Sequence, residues 1–134
     1  MSIRDMNVGD ALEPQKNPVG KYQPIYYAGS SGDFNPIHID PEFGKMAGLG
    51  GNILQGLCTM AFVVKAVVDQ SGGDPASLRR IKVRFAKPVM PNDTVVVDGK
   101  IAEKTADSAV LELQASTKKG EVQVITHASA TVKL

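Results

Sequence analysis

The chain has 134 residues, 43% of them apolar, with 15 basic and 14 acidic side chains and a formal net charge of +1. That is enough for one core-bearing domain spanning residues 1–134, and the charge balance excludes a general electrostatic pull toward nucleic acid or an anionic membrane. The single cysteine, Cys58, excludes an internal disulfide framework and fits a reducing compartment. Residues 1–10 carry charge early and lack an apolar run, so no signal peptide is expected. The longest apolar region, residues 57–68, is interrupted by Thr59 and Lys65 and is too short for a bilayer. The expectation is a cytoplasmic protein without a membrane span.

In chain order, Val8-Gly9-Asp10 reads as a turn, followed by an extended segment ending near Pro18. Residues 21–28 are ambiguous, although Pro24 is tolerated in a first helical turn. Residues 27–38 form a polar stretch punctuated by Gly32 and Pro36, which argue against a continuous helix or a central strand. Asp40-Pro41-Glu42 is a helix start: a capping acid, a proline suited to the first position and an acid at the positive end. That helix should run to about Ala47. Residues 48–52 break it as a mobile loop. Ile53 stands where a dinucleotide fingerprint needs its third glycine, so no phosphate cradle is expected. Residues 53 to about 70 are apolar on nearly every face, the pattern of a buried helix, and Gly72-Gly73 ends it. Residues 78–86 alternate Ile81, Val83 and Phe85 against Arg80, Lys82 and Arg84, the period of a strand with one face inward. Pro88 and Pro91-Asn92-Asp93 read as a turn. Residues 94–103, 109–117 and 121–133 are further strands, joined by polar hairpins at 104–108 and 118–120. Helices followed by an antiparallel meander define an α+β fold in which the sheet covers one long helix.

The chemistry concentrates in Gly32-Asp33-Phe34-Asn35-Pro36-Ile37-His38. A carboxylate and an imidazole can share one water: Asp33 accepts a proton, and His38, which titrates near neutrality, holds the water and exchanges a proton. The Asn35 amide can orient either partner. Ordinary turn chemistry explains the same residues, because Asp and Asn side chains cap local backbone. A metal site is not expected, since no second His or Cys lies near Asp33, Asn35, His38 and Asp40.

This stretch resembles the signature of the MaoC-like, or hydratase 2, family of (R)-specific enoyl-CoA hydratases and hydroxyacyl dehydratases, which have the hot-dog fold. Tyr27 matches the family's aromatic position. Asp33 and His38 match its catalytic pair, and Asn35 matches its helper amide. Ser30 departs from an aliphatic residue or glycine, and Gly44 from the usual Ala or Ser. Residues 53–60 resemble the start of the family's central helix and residues 84–93 its following strand and turn, so the likeness covers residues 27–93. Gln55 stands where the family has His. The resemblance implies a site completed by Gly56, whose helix-terminal N–H would meet a thioester carbonyl, a reading favoured over the alternative that this glycine serves close helix–loop packing.

The expected activity is hydration of a trans-2-enoyl thioester, or the reverse dehydration, with coenzyme A or acyl carrier protein as the carrier. No metal or redox cofactor is needed. Gln55, Arg80, Lys82 and Arg84 are candidate substrate contacts, the three cations also reading as a solvated strand face. Cys58 reads as buried filler and His127 as a surface residue in alternation with Gln123, Ile125 and Ser129. An open sheet edge and a tunnel short of one wall predict a homodimer. The rival functions are a hydroxyacyl-carrier-protein dehydratase subunit, an acyl-CoA thioesterase on the same fold, and a non-catalytic acyl-binding partner.

Overall fold

A computed structural model describes residues 2–119 and 121–134. After a short 3-10 turn, strand β1 (Gln15–Pro18) leads to helix α1 (Gln23–Ser31), which carries Pro24 in its first turn and ends on Gly32 in the left-handed conformation. Two short helices follow, α2 (Pro36–Ile39) and α3 (Pro41–Met46). The Asp40 side chain caps α3 by accepting from the Glu42 N–H at 3.0 Å, as its sequence predicts. The long helix α4 (Gly56–Gln70) and strands β2 (Leu78–Phe85), β3 (Thr94–Lys104), β4 (Ser108–Thr117) and β5 (Gln123–Lys133) complete the chain. The expected hairpin at 118–120 includes Gly120, which lies outside the described residues.

All strand pairs are antiparallel, in the order β1-β3-β4-β5-β2. The meander expectation therefore holds for β3, β4 and β5 and fails for β2. Pro88 and Pro91 do not make a hairpin turn. They lie in a connection that carries the chain across three strand spacings, roughly 14 Å. Eight residues can span about 26 Å when extended, so the crossing is within reach. The result leaves β2 as a free edge.

The sheet curls around α4. Gly99 lets β4 approach β3 closely: a Cβ there would stand 2.2 Å from the Glu112 carbonyl oxygen. Pairing shifts in β3/β4, β4/β5 and β2/β5 add curvature. One bulge centres on His127, whose φ of +48° is in the left-handed region. It brings Ile125 into phase with Ala128, and a second pairing shift at Val124 turns that residue inward as well, so Ile125 is fully buried rather than sharing the outer face with His127.

Helix α4 buries Cys58, Thr59, Val63, Ala66 and Val67 against the sheet's inner residues, including Val95, Val97, Leu111 and Ala130. Fully burying one such valine contributes roughly 1.5–3 kcal/mol. The helix departs from expectation in two respects. It begins at Gly56, because residues 53 and 54 are extended and bonded outward to the Ile37 and Val89 carbonyls. It is also not covered all round, since Leu57 is 63% exposed and Ala61 shares that open side. Among the described residues, no helix is long and apolar enough to cross a membrane.

Candidate active site

The polar stretch folds as two linked devices. Asp33 follows the left-handed Gly32, and its Oδ1 accepts from the Asn35 N–H at 3.3 Å. Asn35 then caps α2, its Oδ1 accepting from the Ile37 N–H at 3.1 Å. His38 therefore sits on one helical turn rather than in the loop that the sequence suggests. The Asn35 side chain, expected to bond Asp33 or His38 directly, instead caps the helix that carries His38. Both the turn reading and the juxtaposition reading of this motif hold at once.

The two ionisable groups meet. Asp33 Oδ2 lies 3.5 Å from His38 Nε2. The His38 side chain is 10% exposed and that of Asp33 is 47% exposed, so the pair stands at the boundary of the protein with solvent. On the buried side, His38 Nδ1 donates to the Ile53 carbonyl at 2.8 Å. A carbonyl only accepts, so a neutral imidazole here keeps its proton on Nδ1 and turns a lone pair on Nε2 toward the Asp33 carboxylate. Two acceptors facing each other across 3.5 Å can both be satisfied by one water donating a hydrogen to each.

Behind His38 lies a cavity of about 290 Å³, walled by Leu49, Ile53, Leu54, Val89 and Val124. Gly56 and Thr59 of α4 also reach it. Among the described residues, the Gly56 N–H finds no acceptor. It opens a 15-residue helix, where unpaired N–H groups and the helix dipole favour a partial negative charge. A Cβ on Gly56 would meet the Phe85 ring at 3.3 Å. A broader depression of about 1000 Å³ contains Asp98, Gln114 and His127 but neither Asp33 nor His38. It lies over β3, β4 and β5, away from the Asp33–His38 pair.

The sequence profile described as "MaoC like domain" matches residues 6–127. The chain belongs to the MaoC-like family. The match extends well beyond the likeness at 27–93. This MaoC-like domain is 45% identical over 69 residues to the peroxisomal enoyl-CoA hydratase 2 of Arabidopsis thaliana, covering 51% of the chain and 22% of that relative. Against solved structures it superposes with a TM-score of 0.91 on a MaoC-like dehydratase, at 28% identity, over 99% of the chain and 42% of that protein. It superposes with a TM-score of 0.85 on the (R)-hydratase from A. caviae involved in PHA biosynthesis, at 24% identity, over 97% and 98% of the two chains. The hot-dog fold is thereby established. The chain spans about a fifth of the length of the Arabidopsis relative and 12% of the Drosophila melanogaster peroxisomal multifunctional enzyme type 2.

The remaining candidates of this MaoC-like domain fall outside the cavity. Gln55 is 1% exposed, and its Nε2 donates to the Pro24 carbonyl at 2.9 Å, tying α4 to α1. It is a structural link at the helix cap rather than a cavity wall. Arg80, Lys82 and Arg84 are exposed on β2, and none lines the cavity. Phe85, expected inward, is 51% exposed beside Gly56. Sequence reasoning missed Leu49, Thr59 and Lys87 as cavity residues. Lys87 lay inside a recognised motif, but its position across from His38 depends on β2 packing beside β5. Burial pushes the Cys58 thiol up, against a smaller opposing effect of a hydrogen bond with Gln23, so thiolate is disfavoured. Among the described residues, no group of three or more His, Cys, Asp and Glu side chains is placed to hold a metal ion.

Proposed function

We propose that the chain is an (R)-specific enoyl thioester hydratase, running also as a 3-hydroxyacyl dehydratase. The observation that carries this reading is the Asp33–His38 pair, 3.5 Å apart at the lip of an apolar cavity that also holds the free Gly56 N–H. The enoyl chain lies in the cavity with its thioester carbonyl on the Gly56 N–H. Asp33 and His38 hold one water over C3. As the water oxygen bonds to C3, the pair takes one of its protons, and the C2=C3 electrons move toward the carbonyl. The enolate-like oxygen is stabilised by the Gly56 donor, and the proton held by the pair is delivered to C2. Water is consumed whole and the residues return to their starting state, so the reaction needs no redox cofactor.

The thioester carrier remains outside the cavity. The cations Arg80, Lys82 and Arg84 run along β2 toward Phe85 at the cavity wall, an arrangement suited to the phosphates of coenzyme A or to an acidic acyl carrier protein. The functional unit is a homodimer, supported by the free edge of β2 and by the exposed Tyr22, Tyr26, Phe34 and Leu57. The compartment is the reducing cytoplasm, in keeping with the single buried thiol; the peroxisomal labels carried by relatives give a fluorescent fusion a clear alternative to test.

Incubation with crotonyl-CoA tests the activity. Hydration removes the enoyl absorbance without releasing thiol. Release of thiol identifies a thioesterase instead, and binding without turnover identifies an acyl-binding partner subunit.

A further inference from the structure

The loop joining α3 to α4 rests on Gly44 at two points. The Leu49 N–H donates to the Gly44 carbonyl at 2.8 Å. On its other side, Gly51 comes so near that a Cβ on residue 44 would stand 1.9 Å from its carbonyl oxygen. Both neighbours are backbone, so any larger residue at 44 displaces the loop. Gly48 and Gly50, with φ of +82° and +80°, let the loop double back on α3. Beyond it the chain is pinned to α2, where Asn52 Nδ2 donates to the His38 carbonyl at 2.9 Å and the Ile53 N–H to the Ile37 carbonyl at 2.9 Å. The loop expected to be mobile is thus anchored at both ends.

Leu49 is the one residue between 48 and 51 with a side chain beyond a hydrogen, and that side chain lines the cavity behind His38. Of the other apolar walls, Leu54, Val89 and Val124 belong to the buried core and cannot yield without repacking it, Ile53 is held through its backbone by Ile37 and His38, and Phe85 stands half exposed at the end of β2. Leu49 is half-buried, outside that core. One chain walls about 290 Å³ of the site.

We propose that Leu49, seated by Gly44, is a residue that sets the acyl length this site accepts. The inference rests on the hydratase reading above. The test is the specificity constant for crotonyl-, hexenoyl-, octenoyl- and decenoyl-CoA in the parent protein, Leu49→Ala, Leu49→Phe and Gly44→Ala. Removing a few methylene equivalents from an apolar wall should raise the octenoyl-to-crotonyl ratio of Leu49→Ala roughly tenfold or more. Leu49→Phe should lower it. A folded Gly44→Ala should also change the ratio, although residue 44 does not touch the cavity. Should Gly44→Ala fail to fold, the Leu49 variants decide alone, since a half-buried loop side chain is dispensable to the core. A ratio within twofold of the parent in Leu49→Ala, with crotonyl-CoA still hydrated, overturns the inference and leaves the hydratase reading standing. Absence of hydration by the parent protein on every chain length overturns both.

Discussion

The imidazole of His38 is anchored by the carbonyl of Ile53, 15 residues further along the chain, through a 2.8 Å hydrogen bond at Nδ1. Ile53 belongs to the short extended segment that feeds α4, and its own N–H is bonded to the Ile37 carbonyl beside His38. The two segments therefore hold each other, and the tautomer of His38 is set by backbone rather than by a second side chain. Its Nε2 is left to face Asp33.

Replacing either member of that pair should stop the chemistry without unfolding the chain. Asp33 is about half exposed, and the core does not depend on it. Asp33→Asn and His38→Gln are each expected to lower the specificity constant for crotonyl-CoA by roughly 10²–10⁴-fold, the usual weight of general acid–base catalysis. Melting temperatures should move little. Near-parental turnover in either variant would reject the mechanism.

Gln55 is a stability residue by its surroundings. Its Nε2 links α4 to α1, and its Oε1 is buried without a partner among the described residues. Gln55→Ala removes the link and opens a cavity, and should cost roughly 2–4 kcal/mol in urea unfolding. Gln55→His keeps a donor toward the Pro24 carbonyl and removes the orphan oxygen, so it should unfold at the parental denaturant concentration or above it. A loss in Gln55→His as large as in Gln55→Ala would show that the linking bond is not what matters.

Cys58 should behave as an inert thiol. Its burial holds the proton above the ordinary value of 9.0, so little thiolate exists near neutrality. Native protein should react with iodoacetamide far more slowly than denatured protein, and Cys58→Ser should retain turnover within a few-fold. The linkage has a definite sign: the unfolded thiol ionises first as pH rises, so this group's contribution to stability is present below the ordinary thiol value and is lost above it. Fast labelling at pH 7 would contradict the assignment.

Leu57 reports on assembly. It is 63% exposed on the open side of α4, on a molecule whose β2 edge is also unpaired. Analytical ultracentrifugation of the parent protein at micromolar concentration should give a dimer. Leu57→Asp, which buries a charge in that contact, should shift the population to monomer. A parent protein that sediments as a monomer would remove the dimer from the functional proposal.

Much of this architecture is written in short-range signals. Asp40-Pro41-Glu42 starts α3, Gly32 stops α1, Gly72-Gly73 closes α4, and the alternation in β3 and β4 puts Val95, Val97, Leu111 and Leu113 on one face. Each of these acts over a few residues, through a capping bond, a backbone conformation or a side-chain period. The clustering of Asp33 with His38 was legible for the same reason, since five positions and one helical turn separate them.

What tertiary structure alone decided is the set of contacts between distant segments. β2 pairs with β5 rather than β3 because an eight-residue connection is long enough to cross the sheet, and nothing local records which edge it reaches. Gln55 turns under α1, Leu57 is left bare, and Leu49 and Lys87 reach the same cavity as His38, all as consequences of that closure. Local patterns fix the conformation of a segment. Which segments then touch depends on how a curved sheet closes over a helix, and that is a property of the whole chain.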